Sequence, residues 1–267
     1  MIVLCYGVTK SGSTLAFELA KRALANCGHS QDRLSDEAIP SGHKINFIDS
    51  ISPEIIAQLD KEIGPKRMVA IKTHTGLDRE SFLHLDKLSA AGRIKVQAVY
   101  RDPRDICLSM IDAGKSARAA GQSAFSEIHD MADAIQAVER QLGKLRRWGA
   151  LTNVLLISYD SAAFDTEKAL IAIDKQLGIS SNHKVVIDEV MNEAFTQRNK
   201  AVRARHRQEL SASERKIMDI VFGGFLKRVC VQQDYSWFTD ARRMIQRRSD
   251  RVKETTNGAG APGAMKS

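Results

Sequence analysis

The chain has 267 residues, 43% of them hydrophobic and 27% charged, which excludes a disordered polar chain and allows one substantial core. A formal net charge of +8 calls for an anionic partner, whether nucleic acid, a membrane surface or a nucleotide with several phosphates. The four cysteines, Cys5, Cys27, Cys107 and Cys230, form no C-x-x-C pair, so neither a zinc framework nor a redox motif is indicated and a reducing cytoplasm is the expected setting; no run approaches the roughly 20 apolar residues that span a bilayer.

Ile2 to Tyr6 reads as a short buried strand, Gly7 to Ser13 as a loop of small and polar residues, and Thr14 to Leu24 as an amphipathic helix. Apolar strand signals recur at Met68 to Ile71, Ile94 to Tyr100 and Val154 to Ile157. Helical patterns fall between them, at Pro53 to Ile63, Asp78 to Ala90, Pro103 to Ala113, Ala124 to Trp148 and Thr166 to Leu177. Short apolar strands alternating with helices predict an α/β fold, a mostly parallel sheet flanked by helices on both faces. Beyond Gly178 the pattern is helical and basic, with a Ser211/Glu214 capping box ahead of a helix Ala212 to Val221; this part is expected as a C-terminal flap over the sheet's edge. Residues 249–267 are small and polar without apolar periodicity and are expected to be a disordered tail, leaving 1–248 as one domain.

Five segments carry recognisable chemistry. Gly7-Val8-Thr9-Lys10-Ser11-Gly12-Ser13-Thr14 joins the first strand to the first helix, where backbone N–H groups and the helix's positive end hold an anion. Its spacing nearly matches the phosphate loop G-x-x-x-x-G-K-[ST], but Ser13 stands where that pattern has its lysine, and the loop's lysine is Lys10. Lys72-Thr73-His74 follows directly on a strand, and a neutral imidazole at a strand's C-terminal edge suits a general base near pH 7. Arg101 ends another strand, Pro103 opens the next helix, and Ser109 lies about two turns along, so that a guanidinium fork and a hydroxyl reach one anion. The last strand runs into Tyr159-Asp160, and the stretch from Arg198 through Lys200 and Arg203 to Arg205 is densely positive.

In this order the segments resemble the motifs of cytosolic-type sulfotransferases that use 3′-phosphoadenosine 5′-phosphosulfate (PAPS), a family with a P-loop NTPase-like fold. The likeness runs over roughly Met1 to Leu210: Lys10-Ser11-Gly12-Ser13-Thr14 to the family's K-S-G-T-T, Lys72-Thr73-His74 to its K-T-H, and Arg101 to Ser109 to its R-[ND]-P-x-D-x-x-x-S. The resemblance implies that Lys10, Ser11, Gly12, Ser13 and Thr14 cradle the 5′-phosphosulfate, with Lys10 also assisting departure. It implies that His74 removes the acceptor's proton, that Arg101 and Ser109 hold the ribose 3′-phosphate together with Arg198 and Lys200, and that Tyr159 borders the adenine. The product is then adenosine 3′,5′-bisphosphate, the acceptor a hydroxyl of a glycan or small molecule, and neither a metal nor a nucleic acid is expected. The chain departs from the family at Leu15, in place of a tryptophan that stacks on adenine, at Thr75-Gly76, in place of Leu-Pro, and in having no glycine between Gly178 and Gly223.

Two other readings compete. A small-molecule kinase using ATP and magnesium shares the strand, loop, helix opening, against which stands the missing Walker lysine. A non-catalytic module could bind nucleic acid through Arg198 to Arg207 and Arg242 to Arg251, but aromatics, 6% of the chain, are not interleaved with these cations as a stacking platform requires.

Overall fold

The computed structural model describes residues 1–39, 43–192, 201–243 and 245. Its sheet has five strands, β1 (Ile2–Gly7), β2 (Phe47–Ile48), β3 (Val69–Thr73), β4 (Ile94–Tyr100) and β5 (Leu155–Ser158), in the order β2-β3-β1-β4-β5. All the pairings are parallel, Ile2 standing opposite both Val69 and Ile94.

Strand β1 is buried at all six positions because each face of the sheet carries its own helical layer. Ile2, Leu4 and Tyr6 pack with Ile56 and Leu59 of α2 (Pro53–Ile63), Phe82 and Leu85 of α3 (Arg79–Ala90), Ile106 of α4 (Pro103–Ala119) and Val138, Leu142 and Trp148 of α5 (Met131–Trp148). Val3 and Cys5 point the other way, to Phe17, Leu19 and Leu24 of α1 (Ser13–Asn26), Leu170 and Ile173 of α7 (Thr166–Leu177) and Val186 and Val190 of α8 (His183–Asn192). A short α6 (Tyr159–Phe164) precedes α7. The period-two alternation along β1 thus assigns the two cores.

The C-terminal part is helical, as expected, with α9 (His206–Glu209), α10 (Ala212–Val221) behind its Ser211/Glu214 capping box, and a further helix over 236–243. It is seated more deeply than a flap: Met218, Phe222, Phe225 and Phe238 are buried within the α2–α5 core, and Phe238 lies so close to Gly149 that a Cβ there would come within 2.2 Å of its ring. Residues 249–267, the expected tail, lie outside the described residues.

One helix boundary is corrected, and one strand had no counterpart in the sequence reading. The helix read from Ala124 begins only at Met131, because the Asp130 side chain accepts the Asp133 N–H and caps it, while 124–130 form turns. Strand β2, two residues long, carries too little pattern to be read. Among the described residues no helix is long and apolar enough to cross a membrane.

Since β1 is followed on one side by β3 and on the other by β4, the direction in which strands are added reverses at β1. A crevice opens at that point beyond the strands' C-terminal ends. Gly7 closes β1, and His74, Arg101 and Tyr159 directly follow the ends of β3, β4 and β5.

Candidate active site

The loop after β1 is folded by its own backbone. The Ser11 N–H donates to the Val8 carbonyl at 3.0 Å, and both Lys10 (φ 68°) and Gly12 (φ 83°) adopt the left-handed conformation. Gly12 has a second reason to lack a side chain: a Cβ there would stand 2.5 Å from Cδ2 of Tyr159. The Thr9 N–H donates to Gln141 Oε1 at 2.7 Å, which ties the loop to α5. The first helical bond of α1 runs from Ala16 to Gly12, so the N–H groups of Ser13, Thr14 and Leu15 have no acceptor within the helix and project from its positive end.

Ser11, expected on the nucleotide, is instead fully buried behind the loop, with its hydroxyl donating to the Val99 carbonyl at 3.4 Å. Its N–H and hydroxyl both serve the loop's shape.

At the end of β3, buried Lys72 donates to Thr14 Oγ1 at 2.7 Å, joining the two motifs; burial lowers its ammonium pKa, with Glu18 opposing. His74 Nδ1 lies 2.7 Å from the Gly7 carbonyl. A carbonyl only accepts, so Nδ1 carries the hydrogen and Nε2 keeps its lone pair. Burial lowers the imidazole pKa to about 4 against the pull of the Gly7 bond, and Lys72 and Lys144 push it the same way as burial. The ring is therefore neutral at pH 7.

At the end of β4, Arg101 is 8% exposed. Its Nη1 donates to the Lys10 carbonyl at 3.4 Å, its Nη2 lies 3.7 Å from Asp105, and its guanidinium carbon sits 4.1 Å from the centre of the Tyr159 ring. Its Nε is buried without a hydrogen-bond partner. Asp105 accepts from the His206 N–H at 2.9 Å and from its Nδ1 at 2.8 Å. Burial pushes that carboxyl up, but the His206 bonds and Arg101 outweigh it and leave the pKa below the ordinary value.

Tyr159 opens α6 rather than ending a strand, because Ser158 accepts the Ser161 N–H and caps a helix there; its ring lies between Gly12 and Arg101. One cavity of about 670 Å³ is lined by Lys10, Gly12, Ser13, Thr14, His74, Arg101, Ser109 and Tyr159. Such a volume suits a ligand of nucleotide size.

A sulfotransferase domain family model matches residues 2–250. The chain belongs to the sulfotransferase family. Among solved structures it is similar to a mouse sulfotransferase, SULT7A1, complexed with PAP, at 16% identity and a TM-score of 0.52 over 90% of this chain and 88% of that one. It is similar, at the same identity and TM-score, to a retinol dehydratase in complex with androsterone and inactive cofactor PAP, over 85% of this chain and 80% of that one. No curated protein matches the sequence. At this identity the likeness to the two structures establishes the fold, and the family model establishes an enzyme of sulfuryl transfer.

The cavity of this sulfotransferase holds further residues that the motifs did not single out for it. Arg205, 2% exposed, reaches it while bonded to Asp112 and Glu209, each at 2.8 Å. Arg198 and Lys200, the members of that basic run expected here, lie outside the described residues. Leu15 and Ala163 form apolar wall where the family's tryptophan is missing. Phe125 also lines it, with Lys10 Nζ 5.2 Å from the centre of its ring. Phe125 belongs to the turn ahead of α5, not to the helix.

Proposed function

We propose that this sulfotransferase carries the sulfuryl group of PAPS to an acceptor hydroxyl, with His74 as the general base. One observation carries the reading: Lys10 and the N-terminus of α1, His74, and the Arg101–Ser109 pair converge on a single cavity. Arg101 and Ser109, which line the cavity together, fit a ribose 3′-phosphate, and the free N–H groups of α1 fit the 5′-phosphosulfate. Arg205, whose charge is taken up by Asp112 and Glu209, offers its remaining N–H donors to the 3′-phosphate, and Arg198 and Lys200 are proposed there on the sequence alone. Tyr159, Leu15 and Ala163 border the adenine. Four unpaired thiols fit a cytoplasmic setting.

In the reaction, His74 Nε2 takes the acceptor proton as the oxygen–sulfur bond forms, and the bond from sulfur to the bridging phosphate oxygen breaks. Lys10 and the loop N–H groups neutralise the charge appearing on that oxygen. The depressed imidazole pKa keeps the base unprotonated, and transfer is timed to the moment when bond formation makes the hydroxyl acidic.

His74→Ala is expected to lower turnover by about 10²- to 10⁴-fold while leaving the melting shift caused by adenosine 3′,5′-bisphosphate intact. Undiminished turnover removes His74 from the role. Melting curves with ATP and magnesium form the second arm; a larger shift than with the bisphosphate overturns the PAPS reading in favour of a kinase.

A further inference from the structure

Beyond His74 the chain turns through Thr75, Gly76 and Leu77 against α5. Trp148 Nε1 donates to the Thr75 carbonyl at 2.8 Å, and Arg147 Nη1 donates to that of Leu77. Gly76 is small because the stem of Lys144 lies across it, and a Cβ there would meet Lys144 Cγ at 3.0 Å. Helix α5 also holds the phosphate loop, through Gln141 and Thr9. One surface of a single helix therefore reaches both the loop and the turn beyond the base.

That surface is strongly positive. Arg140, Lys144 and Arg147 recur at helical spacing and line a hollow of about 550 Å³ with Gly76 and Asp78. Arg147 is held by Leu77, and Asp78 is engaged in capping α3, where it accepts the Ser81 N–H at 2.8 Å. Arg140 and Lys144 are exposed, and neither is paired with a carboxylate among the described residues. The charge of Lys144 reaches His74, since it is one of the groups disfavouring the protonated imidazole.

We propose that the acceptor of this sulfotransferase carries its own anionic group, a carboxylate or an existing sulfate or phosphate ester near its hydroxyl, which Arg140 and Lys144 hold while the hydroxyl meets His74. The proposal rests on the reading of His74 as the base. Two unpaired cations on a helix that braces the site give a neutral phenol or alcohol nothing to exploit, whereas they attract and orient an acid.

The test uses two matched pairs of probes, 4-hydroxybenzoate against 4-hydroxybenzyl alcohol and a hexuronate disaccharide against its carboxyl-reduced counterpart, with the wild type and Arg140→Gln/Lys144→Gln. Sulfuryl transfer from PAPS is measured, and also calorimetric binding to enzyme saturated with adenosine 3′,5′-bisphosphate. In at least one pair the acidic member should be favoured about tenfold in kcat/KM or affinity, a preference that shrinks with added salt. The double variant should lose that preference while its melting shift with the bisphosphate stays at the wild-type size. The proposal is overturned if the neutral members do as well, if the preference survives in the variant, or if no acidic probe binds. A wild type without any bisphosphate shift strikes the nucleotide reading instead, so the two failures are told apart.

Discussion

On the proposed reading, the two ends of the cavity hold anions by opposite means. Around Gly12 the cradle is main chain: two left-handed residues and three helix N–H groups beside the Lys10 ammonium, with a tyrosine ring packed where a side chain would otherwise stand. Around Arg101 it is side chain, a buried guanidinium with one nitrogen unpartnered, aligned by Asp105, which is in turn gripped twice by His206. The first end is specified by backbone conformation, the second by charge in a poorly solvated place.

The sharpest way to break this contrast is at Gly12. Alanine there must hold φ near 83° and displace the Tyr159 ring, which together should cost about 3 kcal/mol of stability, or about 10 °C in Tm. Adding Tyr159→Ala relieves only the clash, so the double variant should show whether conformation or crowding dominates. An unchanged Tm in Gly12→Ala denies the backbone account. Next in size, Arg101→Ala should weaken binding of adenosine 3′,5′-bisphosphate about a hundredfold, read by calorimetry, and Arg101→Lys should recover little because it lacks the fork. Wild-type affinity in the alanine variant would falsify the assignment of this end to a phosphate.

The same contrast explains what could be read before the fold was known. Strand β1 is an unbroken apolar run up to Gly7 because both sheet faces are covered, β4 keeps enough apolar positions around Lys95 and Gln97 to be read, and their helix partners show clear periodicity, so the parallel sheet and the segments that line the cavity were legible. Helix α5 was overextended because Phe125 and Ile128 continue the apolar spacing of Met131 and Ala134, and a single aspartate at 130 overrides it. Ser11 belongs to the loop's pattern, but whether such a residue faces the ligand or the sheet depends on a left-handed turn that pattern does not display. Arg205 stands out from its basic neighbours only through Asp112, ninety-three positions earlier. Lys144 likewise acquires meaning only by lying across Gly76. Local motifs are visible in the chain, whereas the groups proposed to face the acceptor come from distant residues without one.

Acid separates the two ends by smaller steps. The folded pKa of His74, about 4, lies below its ordinary 6.5. Between these values the unfolded chain binds the proton first, so the stability associated with neutral His74 is fully present above pH 6.5 and is lost as pH falls toward 4. Asp105, also depressed, contributes stability present above its ordinary 3.8 and lost only below that. Binding of adenosine 3′,5′-bisphosphate at the arginine end should therefore persist at pH 5. At that pH about 90% of the His74 base is still neutral, against about 3% for an imidazole of ordinary pKa, so kcat/KM should stay near its pH 7 value instead of dropping about 25-fold. A profile of kcat/KM from pH 4.5 to 8 decides it: an acid limb centred near 6.5 means that His74 is solvated in the free enzyme and that burial against Gly7 does not set its basicity.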